Sequence, residues 1–412
     1  MLKKIKRRIK RFMQNSKILY GLYKFLLIKK RTFTFKRYQK TLPLNEKTII
    51  FESFQGRRYA CSPKAMYLEA IKDPRYKDFT FVWSFRDIKE HEYLMEYPNT
   101  VLVKYNTRKY LKLFATSKYW ITNSTMRPYL IPSSEQVFVQ TWHGTPLKRL
   151  GCDLEVSNNA AQKLTEIKKQ YRQQEEKISI FISPSKFYTE KIATAYDVKD
   201  ISKFVECGYP RNDFLFNFTD EDVEKVKNEL NIPRDKKVLL YAPTFRDNSH
   251  ERGRGFTYSI GIDFDKLYSE LKDEYVILFR AHYFIINGFD FEKYNGFIID
   301  VSQYDDINNL YIVSDMLMTD YSSVFFDYAN LKRPVMFFMY DFEEYKGELR
   351  DFYLDMSELP GPIVYTNDEV APCIKNTYKN FKYDEKYQKF NEKFNTYNDQ
   401  NSSKRALGVC IK

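Results

Sequence analysis

Apolar positions between residues 47 and 208 come in short unbroken runs rather than in alternation: KTIIFES (47–53), FTFVWSF (79–85), TVLVKY (100–105), YWIT (119–122), QVFVQ (136–140), ISIFISPS (178–185) and FVECG (204–208). Runs of this length read as strands covered on both faces, the habit of parallel sheets, and helical stretches separate several of them. A polar segment, Asn217 to Pro233, opens a second series. It begins with the amphipathic EDVEKVKNELN after the cap Thr219 or Asp220. The strands KKVLLYAPT, YVILFRAH, GFIIDV, DMLMTD and RPVMFFMY follow, with DFDKLYSELKDE, DINNLYIVS and SVFFDYANLK as the helices between them. Two βα series predict an α/β chain of two Rossmann-like domains, 41–216 and 217–412, facing a cleft. The tail, 384–412, reads as one helix and a loose end. Residues 248–259 read as a mobile loop beside the cleft.

Length agrees with this division, since 412 residues exceed one ordinary core. Charge adds a third region. Residues 1–40 hold fifteen Lys or Arg and no Asp or Glu, so the net +13 leaves −2 for residues 41–412. Ile5, Ile9, Phe12 and Met13 recur at helical spacing among these charges, which predicts a basic amphipathic helix on an anionic membrane surface. Lys24 interrupts the apolar run ILYGLYKFLLI, so neither a secretory signal nor a transmembrane helix fits. Fifteen cations also suit nucleic acid, but the near-neutral body argues against that partner, and a helix that is merely solvated or docks on the body is the remaining alternative. Five cysteines without a C-x-x-C pair read as reduced thiols of a cytosolic protein, and no Cys/His cluster suggests zinc.

The chemistry concentrates where strands end. His143 closes QVFVQTWH, and Gly144, Thr145 and Pro146 after it predict a tight turn and a helix start whose free N–H groups suit phosphate. Pro243 and Thr244 end KKVLLYA. Arg280 and His282 stand two apart at the end of YVILF, on one face, suiting a diphosphate. DMLMTD is followed by Ser322 and Ser323, which open a helix and make a second phosphate cradle, with Asp327 one turn on. Arg211 sits in the turn GYPRND. Each motif alone has an ordinary structural alternative: a turn histidine, a strand exit, a surface pair or a solvated arginine. Asp305 and Asp306 read as helix capping, and no carboxylate trio presents a metal site. Walker A, G-x-G-x-x-G and G-x-S-x-G are all absent, which disfavours ATP hydrolysis, dinucleotide redox chemistry and serine hydrolysis.

Together, WHGTPLK, GYPRND, YAPTFRD, FRAHY and SDMLMTDYSSVFFDYANLKRPVMFF resemble the CDP-glycerol glycerophosphotransferase family of teichoic acid primases and polymerases, over roughly residues 45–400. The resemblance implies a GT-B fold with the nucleotide held mainly by the C-terminal domain, and no cofactor. It implies a CDP-alcohol donor, an undecaprenyl-linked acceptor and peripheral attachment at the cytoplasmic face of the membrane. Carried over residue by residue, Trp142, His143, Gly144, Thr145 and Pro146 line the reaction centre. Arg211 contacts the donor, Pro243 and Thr244 lie beside the nucleotide, and Arg280 and His282 bind near the diphosphate. Ser322 and Ser323 hold phosphate oxygens, and Asp327 approaches the donor. His143 is the expected base, and His282 shares the catalytic centre. A GT-B sugar-nucleotide glycosyltransferase is the alternative enzyme. Glycerol and ribitol, primase and polymerase, and the oligomeric state stay open at this level.

Overall fold

The computed structural model describes residues 17–155, 163–244, 250–251, 255–256, 261–281, 291–344 and 352–412. Seven strands form the first sheet: β1 (Asn45–Glu52), β2 (Thr80–Phe85), β3 (Thr100–Lys104), β4 (Ser117–Thr122), β5 (Val137–Gln140), β6 (Ile180–Ser183) and β7 (Phe204–Glu206). Their order is β3-β2-β1-β4-β5-β6-β7, and every described pairing is parallel. One register row runs Val82, Ile50, Trp120, Phe138 and faces one apolar layer. The next row, Trp83, Phe51, Ile121, Val139, faces the other. Alternate side chains thus bury on opposite faces, which is why these strands read as unbroken apolar runs.

The second domain repeats the logic. β8 (Lys237–Ala242) is followed by a two-residue-per-strand antiparallel pair, β9 (His250–Glu251) and β10 (Gly255–Phe256). Then come β11 (Tyr275–Phe279), β12 (Ile298–Asp300), β13 (Met316–Thr319), β14 (Val335–Phe338) and β15 (Ile363–Val364). The main sheet runs β12-β11-β8-β13-β14-β15, again parallel. In each sheet the chain reverses its direction of travel once, between β1 and β4 and between β8 and β13. Ligand crevices open beyond strand ends at such points. The Rossmann-like pair expected from the sequence is therefore present.

Three expectations change. The tail holds two ordered helices, Glu385–Phe394 and Ser402–Cys410, rather than one and a loose end. The last of them leaves the second domain: Ala406, Leu407, Cys410 and Ile411 bury in the same layer as Met66 and Tyr67 of the first. Its first N–H groups, at Ser402 and Ser403, donate to the Asp213 carboxylate at 3.0 and 2.7 Å. A boundary that gives all of 217–412 to the second domain therefore misplaces this helix, because its apolar face completes the first core. Third, the segment read as a loop, 248–259, carries the paired strands β9 and β10, and its other residues lie outside the described ones.

Ile5, Ile9, Phe12 and Met13 lie outside the described residues. The chain is described from the helix Lys17–Thr41 onward. The second half of this helix docks: Phe35 is fully buried edge-on to Trp120, and Arg31 donates to Tyr129 Oη at 2.8 Å and to Asn106. Its first half exposes Ile18, Leu22, Phe25 and Leu26, spaced to share a face. No described helix is long and apolar enough to cross a membrane.

Glu52, at the end of β1, is 2 % exposed. Burial pushes its carboxyl up to about 7, with Ser84, Tyr110, Arg127 and Arg86 pulling the other way. A raised carboxyl leaves stability intact below the unfolded value and loses it as pH rises through the folded one. Glu52→Gln is therefore expected to stabilise the fold by about 3 kcal/mol near pH 8 and by under about 1 kcal/mol near pH 5. Chemical denaturation at both pH values checks this, and equal gains would contradict it.

Candidate active site

A cavity of about 1170 Å³ lies between the domains. Trp142, His143, Gly144, Thr145 and Pro146 follow β5 into it from one side. Pro243 and Thr244 after β8, Arg280 after β11, and Ser322 and Ser323 after β13 meet them from the other. A smaller cavity of about 260 Å³ continues from it, lined by His143, Arg211, Arg280, Ser323 and Asp327, with Cys61 at its wall. Twelve of the thirteen site residues expected from the sequence thus line one connected space. The thirteenth, His282, lies outside the described residues.

His143 is open to the cleft, but its ring is held on three sides. Trp142 lies 4.3 Å away between ring centroids and Phe54 5.8 Å. Nδ1 is 2.6 Å from the carbonyl oxygen of Asn123. A carbonyl only accepts, so Nδ1 carries the proton and Nε2 presents a lone pair. Asn123 in turn is fixed through its Oδ1, which accepts from Phe54 N at 2.8 Å. Desolvation in this crowded floor lowers the imidazole to about 4, against the pull of the Asn123 carbonyl and with help from the Arg211 charge. The ring is also open to cleft water, and His143 is neutral at pH 7. Trp142 reaches its place with a left-handed backbone, φ 49°, a strained state for a bulky residue and one found at functional sites.

The sequence predicted a helix at Thr145 and Pro146, and none forms. Leu147 instead crosses into the apolar layer of the second domain, and its carbonyl accepts from Tyr353 N at 2.8 Å. Lys148 bridges Phe352, and Leu150 N donates to Tyr353 Oη. Burying Leu147 across the domain boundary requires extended backbone, so this segment supplies no helical N–H cradle. Gly144 serves the same crossing, since a Cβ there would stand 2.5 Å from Ser323 Oγ.

The helix expected after Ser322 and Ser323 does form. Ser323 sits at the N-cap of a short helix, Val324–Tyr328. Asp320, whose sequence position marks only a strand end, joins the two crevice loops. Its Oδ1 accepts from Thr244 N at 2.8 Å and from Tyr321 N at 2.6 Å. Arg280 donates from Nη1 to the carbonyls of Val301 and Tyr304. Burial, then the neighbouring Arg58, lowers it to about 10, so it remains cationic at neutral pH.

Arg211 is not the solvated turn residue its local sequence suggests. It is buried, stacks 4.1 Å from the centroid of Tyr209, and its Nη2 pairs with Asp327 Oδ1 at 2.8 Å. Its Nε is buried without a hydrogen-bond partner among the described residues. Two further cross-domain contacts have no signal in the sequence. Arg58 donates to the carbonyls of Ser302, Gln303 and Tyr304, and Lys64 Nζ meets Asp306 Oδ2 at 2.7 Å. Asp306 also caps its helix as expected. Among the described residues no His, Cys, Asp and Glu group could hold a metal ion.

The sequence and the fold have close counterparts. Residues 34–411 match the family described as CDP-Glycerol:Poly(glycerophosphate) glycerophosphotransferase. The teichoic acid poly(glycerol phosphate) polymerase of Bacillus spizizenii (strain ATCC 23059 / NRRL B-14472 / W23) is 38% identical, over 95% of this chain and 98% of its own. The teichoic acid poly(ribitol-phosphate) polymerase of the same strain is 32% identical over 83% of this chain, which spans 53% of that protein. The solved wall teichoic acid polymerase TagF superposes with a TM-score of 0.83 at 34% identity, covering 94% of this chain and 95% of that one. The two-domain GT-B architecture is thus shared, and the chain belongs to the CDP-glycerol:poly(glycerophosphate) glycerophosphotransferase family.

Proposed function

We propose that this transferase moves glycerol phosphate from CDP-glycerol to a hydroxyl of a lipid-linked acceptor, with His143 as the base. The observation that carries the reading is the pinned imidazole: Nδ1 is held by Asn123 O, and the ring opens to a cleft whose far wall carries Arg280 and the Ser322–Ser323 turn. Nε2 takes the acceptor's proton, and the freed oxygen attacks the β-phosphorus. The bond from that phosphorus to the bridging oxygen breaks, and CMP leaves. Arg280, His282 and the hydroxyls and N–H groups at Ser322 and Ser323 balance the charge that the phosphates gain. Pro243 and Thr244 flank the nucleotide. Arg211 keeps one buried donor for the ligand, and Asp327 holds it in place. The higher identity and fuller coverage of the glycerol-phosphate relative favour glycerol over ribitol.

CMP release by the purified protein, with CDP-glycerol and CDP-ribitol in parallel and a lipid-linked acceptor, tests the reading. Release from CDP-glycerol supports it. Release from CDP-ribitol alone would reassign the polyol, and turnover only of a UDP- or GDP-sugar would replace the reaction class. The exposed apolar face of helix Lys17–Thr41 and the basic residues around it support attachment to an anionic membrane surface. Removing residues 1–28, upstream of the docked Arg31, is expected to abolish flotation with anionic vesicles. Undiminished flotation would refute that part.

A further inference from the structure

The smaller of the two cavities has walls of its own. His143, Arg280 and Ser323 line both spaces and mark their junction, whereas Pro243, Thr244 and Ser322 line only the larger. Cys61, Arg211, Asn308, Tyr311 and Asp327 line only the smaller. The proposed transfer sets what belongs on each side. At the β-phosphorus the attacking oxygen and the oxygen that bridges to the α-phosphorus stand roughly in line. The attacking oxygen comes from the His143 side, and the bridging oxygen leads to the nucleotide beside Pro243 and Thr244. Both ends of that line run through the larger cavity. The ester oxygen that joins the phosphorus to the polyol lies off the line. A donor seated at the junction therefore sends its polyol sideways, and the smaller cavity of about 260 Å³ opens there.

Three polar atoms on residues of this side cavity have no hydrogen-bond partner among the described residues: Arg211 Nε, Asn308 Oδ1 and the Tyr311 hydroxyl. Arg211 is 5 % exposed, Asn308 4 % and Tyr311 0 %. Buried polar groups are nearly always paired, because an unpaired one carries a desolvation cost that nothing offsets. Their other bonds set how they stand. Asn308 Nδ2 donates to the Arg211 carbonyl, and a carbonyl only accepts, so the amide oxygen is the free end. Arg211 donates from Nη2 to Asp327 Oδ1 at 2.8 Å and from Nη1 to Cys61 Sγ at 3.7 Å, which leaves Nε without an acceptor. Asn308 and Tyr311 stand three apart on the helix Ile307–Val313 and so share a face. Burial, then Asp327, raises the Tyr311 phenol, so it keeps its proton and can both donate and accept. The set is one donor, one acceptor and one group that is both.

We propose that this side cavity is the subsite for the polyol of the donor, read by Arg211, Asn308 and Tyr311. The assignment rests on the transfer reading and adds what recognises the group being moved. Glycerol joined to phosphate through one ester keeps two free hydroxyls, each a donor and an acceptor, and this set can meet both. Asp327 and Cys61 act through Arg211, whose guanidinium they hold in the wall. A polyol anchored here also turns the β-phosphorus so that its bridging oxygen faces away from His143, the orientation that attack requires.

Tyr311→Phe tests this, because it removes only the unpaired oxygen and keeps the buried ring. Steady-state CMP release from CDP-glycerol with a lipid-linked acceptor is measured beside inhibition by CDP, which has the diphosphate and no polyol. KM for CDP-glycerol is expected to rise about fivefold, the scale of one lost hydrogen bond between neutral groups. The inhibition constant of CDP should hold, which separates the polyol from the nucleotide and its phosphates. The denaturation midpoint should hold or rise, since the lost hydroxyl has no partner among the described residues. A purely structural role for Tyr311 would move the midpoint and leave the ratio of KM to the CDP constant alone. An unchanged KM, or an equal rise in the inhibition constant of CDP, would overturn the subsite while leaving the transfer reading in place. A wild-type protein that releases no CMP from CDP-glycerol would overturn the transfer reading and the subsite with it.

Discussion

Replacing His143 by alanine is expected to lower turnover by about 10²- to 10⁴-fold, the usual worth of a positioned general base, while CDP-glycerol binding changes little. The split comes from position. His143 faces the cleft from the first domain, whereas Pro243, Thr244, Arg280, Ser322 and Ser323, proposed to hold the donor, come from the second. Removing the imidazole takes away a proton acceptor and leaves that wall intact. The pH profile adds a second readout. Burial lowers the imidazole to about 4, so the base is already free at neutral pH. The acid limb of kcat/KM is therefore expected well below the ordinary histidine range near 6.5, and it should vanish in the variant. Asn123 offers a subtler probe, because its carbonyl and not its side chain meets Nδ1. Its side chain acts one step back, by holding Phe54 N. Near-normal turnover in His143→Ala, or an acid limb that survives it, would end the assignment.

Which parts of this site were legible in the sequence has a physical pattern. Strand ends were legible because unbroken apolar runs stop where the sheet stops, and β5, β8, β11 and β13 each release a site residue within a few positions. The short helix after Ser323 was legible because hydroxyl residues precede an apolar run. The absent helix at Thr145 shows the limit. Threonine and proline in that order carry the local signature of a helix start, but Leu147 gains more by burying in the other domain than the segment would by coiling. Contacts between domains have no local signature at all. Arg58 with the 302–304 carbonyls, Lys64 with Asp306, and the last helix on the first core join residues far apart in the chain. Arg211 and Asp327 were found as separate motifs. Their pairing was invisible, since neither an arginine in a polar turn nor an acid one turn into a helix names its partner.

That pairing carries the other large effect. Asp327 Oδ1 accepts from Arg211 Nη2 at 2.8 Å and from Asn212 Nδ2 at 2.9 Å, and both charged side chains are buried. Burial works against the Arg211 charge, but Asp327, then Cys61 and Tyr209, keep it well above the usual arginine range. Asp327→Ala would leave a buried guanidinium with no counter-ion, a loss expected to cost about 3–5 kcal/mol of stability. The pair stands between the segment after β7 and the helix after β13, so the loss should loosen the meeting of the domains as well as the fold. Removing both charges together is a different matter, because the desolvation cost of each disappears with it. Arg211→Met combined with Asp327→Leu is therefore expected to be less destabilised than Asp327→Ala alone, while losing turnover, since the cavity behind His143 would lose one of the cations that line it. Denaturation of the single and double variants, measured beside their CMP release, separates the two roles. Losses that simply add would show that the pair is not coupled. A double variant with full turnover would show that Arg211 serves the fold alone.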